Sequence, residues 1–432
     1  MIPSVSGSGL IHELSIESTT RRVILDIKNI LTEISYYESI DYASPSMSLS
    51  VADGANVKTS LPIIGGETVR FSFSDSERES NRIFGRMLVY KMSGKRRIHN
   101  GLDVYDIFLA TPEMLNDSYE VIEDFQDNQT ISSMVRTVFK NGVSAKTDKQ
   151  LTTVEETEGP YYTTFNRISP FSTLLHLANE AKSADRRSTS NYFFFGNSRG
   201  YTFASFQYLM RQEPKKIYYY LHDRIQGDRQ FDRNRIISME ESIGFDLLQG
   251  IMAGQFSTQI LSLDPVAKRF RTNQYLYNRD YGAVDHLGRY PRLSPESSQR
   301  FGSTASREKF IISNSYQGTI PYIAENESDM QNTYRRRQDF LGQETASKAD
   351  LSANVTKILV HGDSSLAAGD TIIIQIPKSG EMSINDRQVD GFSGGKYLIT
   401  ALSHRFSPGG MTYVTAIECV KDAYSQPVDG RV

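Results

Sequence analysis

Residues 66–73 read Gly66-Glu67-Thr68-Val69-Arg70-Phe71-Ser72-Phe73, and residues 369–376 read Gly369-Asp370-Thr371-Ile372-Ile373-Ile374-Gln375-Ile376. Each run opens on a glycine, an acid, a threonine and a β-branched residue, and continues with residues that suit a strand. In the first run apolar residues alternate with polar or small ones, the period of a half-buried strand. Glycine followed by an acid is common turn chemistry, so one such match says little. The order of several matches says more. Two alternating stretches follow each run, at 87–91 and 102–110 after the first and at 396–404 and 411–420 after the second. Each run is also preceded by a strand ending in a matching triplet, Ser39-Ile40-Asp41 and Ser262-Leu263-Asp264. The chain therefore reads as one β module used twice. Gly66, Glu67, Thr68, Gly369, Asp370 and Thr371 are the turns that mark the repeat. Two copies in one subunit let an assembly of one rotational symmetry imitate another.

At 432 residues the chain is too long for one hydrophobic core, and two to four domains are expected. Its hydrophobic content of 38% supports folded domains, and a net charge of −3 points neither to a polyanion-binding protein nor to an acidic tail. Tryptophan is absent, and 24 Tyr and 22 Phe supply the aromatic load, which suits strands. Cys419 is the single cysteine; it cannot form an intrachain disulfide, and inside an alternating strand it reads as a small core residue. The start, Met1-Ile2-Pro3-Ser4, has no basic or apolar secretory region, and no apolar run reaches the roughly 20 residues of a membrane span. Folding in a reducing cytoplasm is the expectation.

The fold class read from the pattern is mainly β with an α+β middle domain. Residues 1–115 alternate over 34–40, 46–51, 68–73 and 104–109 with Gly and Ser between, which predicts a small antiparallel barrel or sandwich. Residues 116–235 form the mixed domain. Thr130 is placed to cap a helix with Ile131, Met134, Val135, Val138 and Phe139 on one face, stopped at Asn141-Gly142. Ser169-Pro170 opens a second helix, and Gly196-Asn197-Ser198-Arg199-Gly200 is a hairpin signal between aromatic strands. The stretch 145–159 reads as an exposed loop. The second module is expected from 236–264 and 352–432. Residues 265–351 would then be an insertion of long loops, with a helix near 330–346. Its Tyr- and Arg-rich part shows no periodicity and reads as loops that order against a partner. Tyr275, Tyr277, Arg279, Arg335, Arg336 and Arg337 are its candidate interface residues.

Catalytic readings fare poorly. The seven histidines form no HExxH pair, and one cysteine excludes zinc-ribbon spacing. His176 on a helix and His404 on a strand read as structural. Glu155, Glu156 and Glu158 could be imagined as a glycosidase pair, but such carboxylates need fixed positions across a cleft, and this run reads as a solvated loop. No phosphate-binding loop, serine elbow or complete dinucleotide fingerprint is present. Arg335, Arg336 and Arg337 would spread around most of a helix, which favours solvated arginines or intersubunit ion pairs over a nucleic-acid site. Tyr218 and Tyr220, on one face of a strand, read as two-sided strand packing rather than a base-stacking platform. The expectation is no catalytic residue, no metal and no cofactor.

The tail Gly394-Gly395-Lys396-Tyr397-Leu398-Ile399-Thr400-Ala401-Leu402-Ser403-His404-Arg405-Phe406, then Tyr413-Val414-Thr415-Ala416-Ile417-Glu418, resembles the terminal hairpin of contractile-tail phage baseplate hub proteins. These are related to late control protein D and to the N-terminal region of the VgrG spike. Residues 352–377, with Val360-His361-Gly362-Asp363, are similar to the strand pair before that hairpin. The helix and aromatic hairpin of 171–206 match the family's middle domain in type and order. The resemblance implies two tail-tube-like barrels per chain. It further implies a homotrimer whose six barrels form a pseudo-hexameric ring between a hexameric tail tube and a trimeric central spike. Implied partners are the tube or tube-initiator protein, the spike and neighbouring baseplate proteins, with DNA only as passing cargo and no membrane insertion. The implied location is the virion, after assembly in the host cytoplasm. Because the chain ends soon after the second module, the spike is expected to be a separate chain. The competing readings are a tail-associated cell-wall hydrolase and a host-surface adhesin.

Overall fold

The structure is a computed structural model. It describes residues 7–19, 23–55, 57, 61–75, 81–99, 101–143, 149–159, 161–185, 187, 190–220, 233–243, 246–264, 268–305, 307–312, 337–378, 389–408 and 412–425. The chain is mostly β, and its sheets are largely antiparallel.

The first module comprises β1 (Gly9–Glu17), β2 (Ile24–Asp26), β3 (Leu31–Ser39), β4 (Ser46–Asp53), β5 (Thr68–Asp75), β6 (Ile83–His99) and β7 (Leu102–Ala110). Strict alternation drives it: in β4, Met47, Leu49 and Val51 point inward, and in β7, Tyr105, Ile107 and Leu109 do the same. The middle domain holds β8 (Ile122–Gln129), β9 (Leu151–Val154), β10 (Tyr161–Ile168), β11 (Tyr192–Asn197) and β12 (Gly200–Ser205). Two helices, Ile131–Val138 and Pro170–Glu180, pack on these strands, and both start as their caps predict. Thr130 Oγ1 accepts from the N–H of Ser133, and Ser169 Oγ from that of Ser172. The strands β11 and β12 close on Asn197 and Gly200, and Phe194 stacks on Tyr201 with centroids 5.6 Å apart.

Next come β13 (Lys216–Tyr219), β14 (Ile236–Ile243), β15 (Ser257–Asp264), β16 (Arg269–Leu276) and β17 (Arg307–Ile312). The last four strands are β18 (Asn354–His361), β19 (Thr371–Gln375), β20 (Gly395–Ser407) and β21 (Thr412–Val420). One large sheet runs in the order β14-β18-β21-β20-β3-β4-β7-β6-β5-β1-β2, with β13 and β19 branching from β20. The two modules are joined where β20 pairs with β3, from Ala401–Ser39 to Phe406–Ile34. Among the described residues, none of the sheets closes into a barrel. Where the barrels expected from the sequence would shut, contact shrinks to single bridges, Ser8–Thr412 beside the first module and Tyr219–Arg235 in the second. The tip of the second module's hairpin also fills the first core: Phe406 and Tyr413 are buried with Leu14, Phe71 and Phe73.

Three local expectations are corrected. Within the expected loop 145–159, the described part from 149 is more than a solvated loop, because β9 pairs in parallel with β12 and Glu155 is buried. Within the Tyr- and Arg-rich stretch, β16 and β17 pair with β15, and short helices span Tyr277–Asp280 and Pro295–Phe301. The insertion's long helix is described over Arg337–Ala353 and so runs past Ala346, the expected end, while 330–336 lie outside the described residues.

Candidate assembly interface

The six repeat-turn residues form two matching constructions. The N–H of Gly66 donates to Val89 O at 2.7 Å and the N–H of Val89 returns to Glu67 O at 2.9 Å. In the second module Gly369 donates to Ile399 O at 3.0 Å, and Ile399 returns to Asp370 O at 2.8 Å. Both glycines are left-handed, at φ 86° and 90°, where a side chain is strained. Both acids are buried and turn back on their own loops. Glu67 Oε1 accepts from the N–H of Ile64 at 2.8 Å, and Asp370 Oδ2 from that of Ala367 at 3.0 Å. Thr68 pairs with Leu88 and Thr371 with Leu398.

The match extends through five strands in register. Leu88–Ala110, Val89–Leu109 and Lys91–Phe108 correspond to Leu398–Val420, Ile399–Cys419 and Ala401–Glu418, with a bulge after Val89 and after Ile399. Ser46–Ala110 corresponds to Val355–Val420. Leu31–Val51 and Glu33–Ser50 correspond to Ile236–Val360 and Ser238–Leu359, again with a bulge between the two pairs in each module. Strands β3, β4, β5, β6 and β7 are thus matched by β14, β18, β19, β20 and β21. The sixth strand differs: β1 lies antiparallel to β5, whereas β13 lies parallel to β19.

This register corrects one sequence match. Ser262-Leu263-Asp264 belongs to β15, which pairs with β16 and β17 in a separate sheet, so it is not the counterpart of Ser39-Ile40-Asp41. The counterpart of β3 is β14. A three-residue match inside an alternating strand carries little information, because many strands share that period.

The joint between modules is polar and buried. Glu38 on β3 accepts from the backbone N–H groups of Ser198 and Ala368, linking the first module to the middle hairpin and to the second repeat turn. Burial raises its pKa, while those two donors act in the opposite direction. Arg199 grips the same turn with two parallel bonds to Asp370, at 2.8 and 2.6 Å. Asp363 is buried against Lys216. Burial pushes its carboxyl up, but Lys216 and Ser365 outweigh it and bring it down to about 2. Sequence reasoning noted the hairpin but missed Glu38 and Arg199 as the residues that tie it to both modules. Their partners lie far away in the chain, and no local pattern marks them.

The insertion residues fall into three groups. Tyr275 and Tyr277 are buried within the chain, Tyr277 against Phe256 and Tyr281. Arg279 is exposed and bonds Asp280 and Gln274 O. Arg335 and Arg336 lie outside the described residues; Arg337 opens the long helix, and its side chain is likewise outside them. The outward face missed from sequence is apolar. Register sets Leu263 beside Phe270 and Ile312, and Leu261 beside Phe310; Phe270, Phe310 and Ile312 are 66%, 57% and 73% exposed.

The acids weighed for catalysis are used within the chain. Glu155 accepts from Ser183 Oγ and Ser205 N, Glu156 from Ser132 and Arg136, and Glu158 pairs with Lys182 at 2.7 Å. Among the described residues, no group of His, Cys, Asp and Glu is arranged to hold a metal, and no helix is long and apolar enough to cross a membrane.

No protein-family model matches the chain, and no curated protein matches it. Solved structures do. A tail protein from Neisseria meningitidis aligns over 95% of this chain and 96% of its own, with TM-score 0.54 and 8% identity. The 43 kDa tail protein of prophage MuSo2 from Shewanella oneidensis aligns over 96% and 99%, with TM-score 0.54 and 11% identity. Prophage tail protein gp18 from Listeria monocytogenes aligns over 94% of each chain, with TM-score 0.50 and 10% identity. Over 94–96% of its length the chain shares the fold of these tail proteins.

Proposed function

We propose that this chain is a structural, non-enzymatic hub subunit of a contractile-tail baseplate. Three copies form a ring of six similar modules that joins the hexameric tail tube to a trimeric central spike. The observation that carries this reading is the register-matched duplication, with both bulges and both repeat turns at corresponding positions. A chain with two equivalent modules meets a six-fold tube through a closed three-fold ring, whereas an isologous pair presents only four. In this reading each module, open within the chain, takes the place of a tube-like barrel in the ring. The first lies within residues 1–115. The second is built from β13, β14 and β18–β21, with 244–353 inserted between β14 and β18. The mixed domain between them braces the joint through Glu38 and Arg199. The apolar face of Phe270, Phe310 and Ile312 suits a neighbouring baseplate protein. The tube or tube-initiator and spike proteins take the two ends of the ring. DNA passes through without being bound, and the protein resides in the virion.

Imaging of assembled tails carrying a tag on this subunit tests the reading. Three tags around the axis at the junction of tube and spike are expected; any other copy number contradicts it.

A further inference from the structure

Within the chain, β3 pairs with β20. The counterpart of β3 is β14, which among the described residues pairs only with β18 and ends the sheet. The counterpart of β20 is β6, which on its β5 side is paired from Ile83 to Leu88, bonds Gly66 and Glu67 through Val89, and among the described residues is open beyond. One joint is therefore made, and its twin is left as two open edges. We infer that β6 of one copy pairs antiparallel with β14 of the next, in the register that β20 and β3 adopt within the chain. This deepens the ring proposed above and rests on it.

The register transfers residue by residue. Leu402–Glu38 becomes Met92–Ile243, and Ser403–Tyr37 becomes Ser93–Ser242. After Ser93 the copies diverge. Gly94, at φ 71°, opens a bulge between Ser93 and Arg96 that β20 lacks. Arg96 then pairs with Val104 as Arg405 pairs with Val414, so Arg96 takes the place of Arg405. In the chain Arg405 faces Ser35, whose counterpart is Glu240. The transferred register thus sets Arg96 opposite Glu240.

Charge agrees with that placement. The open edge of β6 carries Lys91, Lys95, Arg96 and Arg97, all exposed, and β14 carries Glu240 and Glu241. Lys95 and Arg97 already pair with Asp103, at 2.9 and 2.8 Å. Neither Arg96 nor Glu240 has an ion pair among the described residues. Opposite charges directly across a ladder stabilise it, and like charges oppose it. Two unprotected edges of opposite charge on one chain are also a template for self-pairing, and a closed ring removes both.

The test is a full-length variant with Ser93→Cys and Ser242→Cys. Directly opposed residues in an antiparallel pair lie within disulfide reach, and the native Cys419 is buried. Under mild oxidation, interchain disulfides are expected in this variant and in neither single variant, with a covalent ladder ending at three chains. Ser93→Cys with Ser238→Cys, four residues out of register, should crosslink at least about tenfold less. Glu240→Arg should cut crosslinking of the in-register pair several-fold, and adding Arg96→Glu should restore it. Crosslinking no stronger than the offset pair overturns the inference, as does failure of the charge swap to restore it. A strong in-register ladder that closes at another number upholds this pairing and removes the trimer. Three copies around the axis without the crosslink leaves the trimer and removes this pairing.

Discussion

The carboxylates of Glu67 and Asp370 do the same thing in two modules: each accepts from the backbone N–H three residues upstream, at 2.8 Å from Ile64 and 3.0 Å from Ala367. Strand pairing alone does not require this. A meander can start on many turns, so the shared glycine, acid and carboxylate loop mark one construction used twice. The second use has gained a partner, because Asp370 is also held by Arg199 from the middle hairpin.

That difference predicts unequal losses. Glu67→Ala strands the N–H groups of Ile64 and Gly65, a cost of about 1–3 kcal/mol. Asp370→Ala strands the N–H of Ala367 and also leaves Arg199 without its carboxylate, so it should destabilise more. Urea denaturation of the two variants, compared at constant slope, checks the order.

The glycines should separate in the same sense. Alanine at either left-handed position costs about 1–2 kcal/mol in backbone strain. At Gly66 the added carbon meets only Thr19 at 3.8 Å, whereas at Gly369 it meets Phe195 at 2.7 Å. Gly369→Ala should therefore lose about 1–3 kcal/mol more, from overpacking, in a thermal melt.

Much of this arrangement was legible in the sequence, and the reasons for the rest are physical. Gly66-Glu67 and Gly369-Asp370 could be read because the turn is built from adjacent residues. Thr130 and Ser169 could be read because caps are local. The strand β14 was missed as the mate of β3 because Ile236 is buried while Ile237 is exposed beside it, so hydropathy does not alternate cleanly. Glu155 was misjudged as solvated because it is buried against Ser183 and Ser205, which lie far along the chain, whereas Glu156 is exposed. Glu38 and Arg199 are polar residues whose partners are supplied only by the tertiary fold.

Two histidines should give opposite pH slopes. Burial lowers the His404 pKa to about 4. The neutral ring is favoured on folding, so its stability is full above the unfolded value near 6.5 and falls as pH drops toward 4. Burial also acts downward on His286, but Asp422 at 2.7 Å outweighs it and raises the pKa. Its stability is full below about 6.5 and is lost as pH rises through the raised value. His404→Gln should flatten the acid limb of a stability–pH curve, and His286→Gln the limb above about 6.5.

Phe406 tests the interlock of the modules. It is carried by the second module's hairpin but buried in the first core. Phe406→Ala should cost about 3–5 kcal/mol and raise hydrogen exchange in β1 and β5, both in the first module. Protection lost only in β20 and β21 would contradict the shared core.

The central claim is that one chain supplies two equivalent ring modules. A subnanometre reconstruction of the assembled baseplate, refined with three-fold symmetry only, tests it most directly. Rotating the ring density by one sixth of a turn should superpose β3–β7 of one module on β14 and β18–β21 of the next, bulges included. Strand density that repeats only every third of a turn, with the two segments in unrelated positions around the axis, would contradict it.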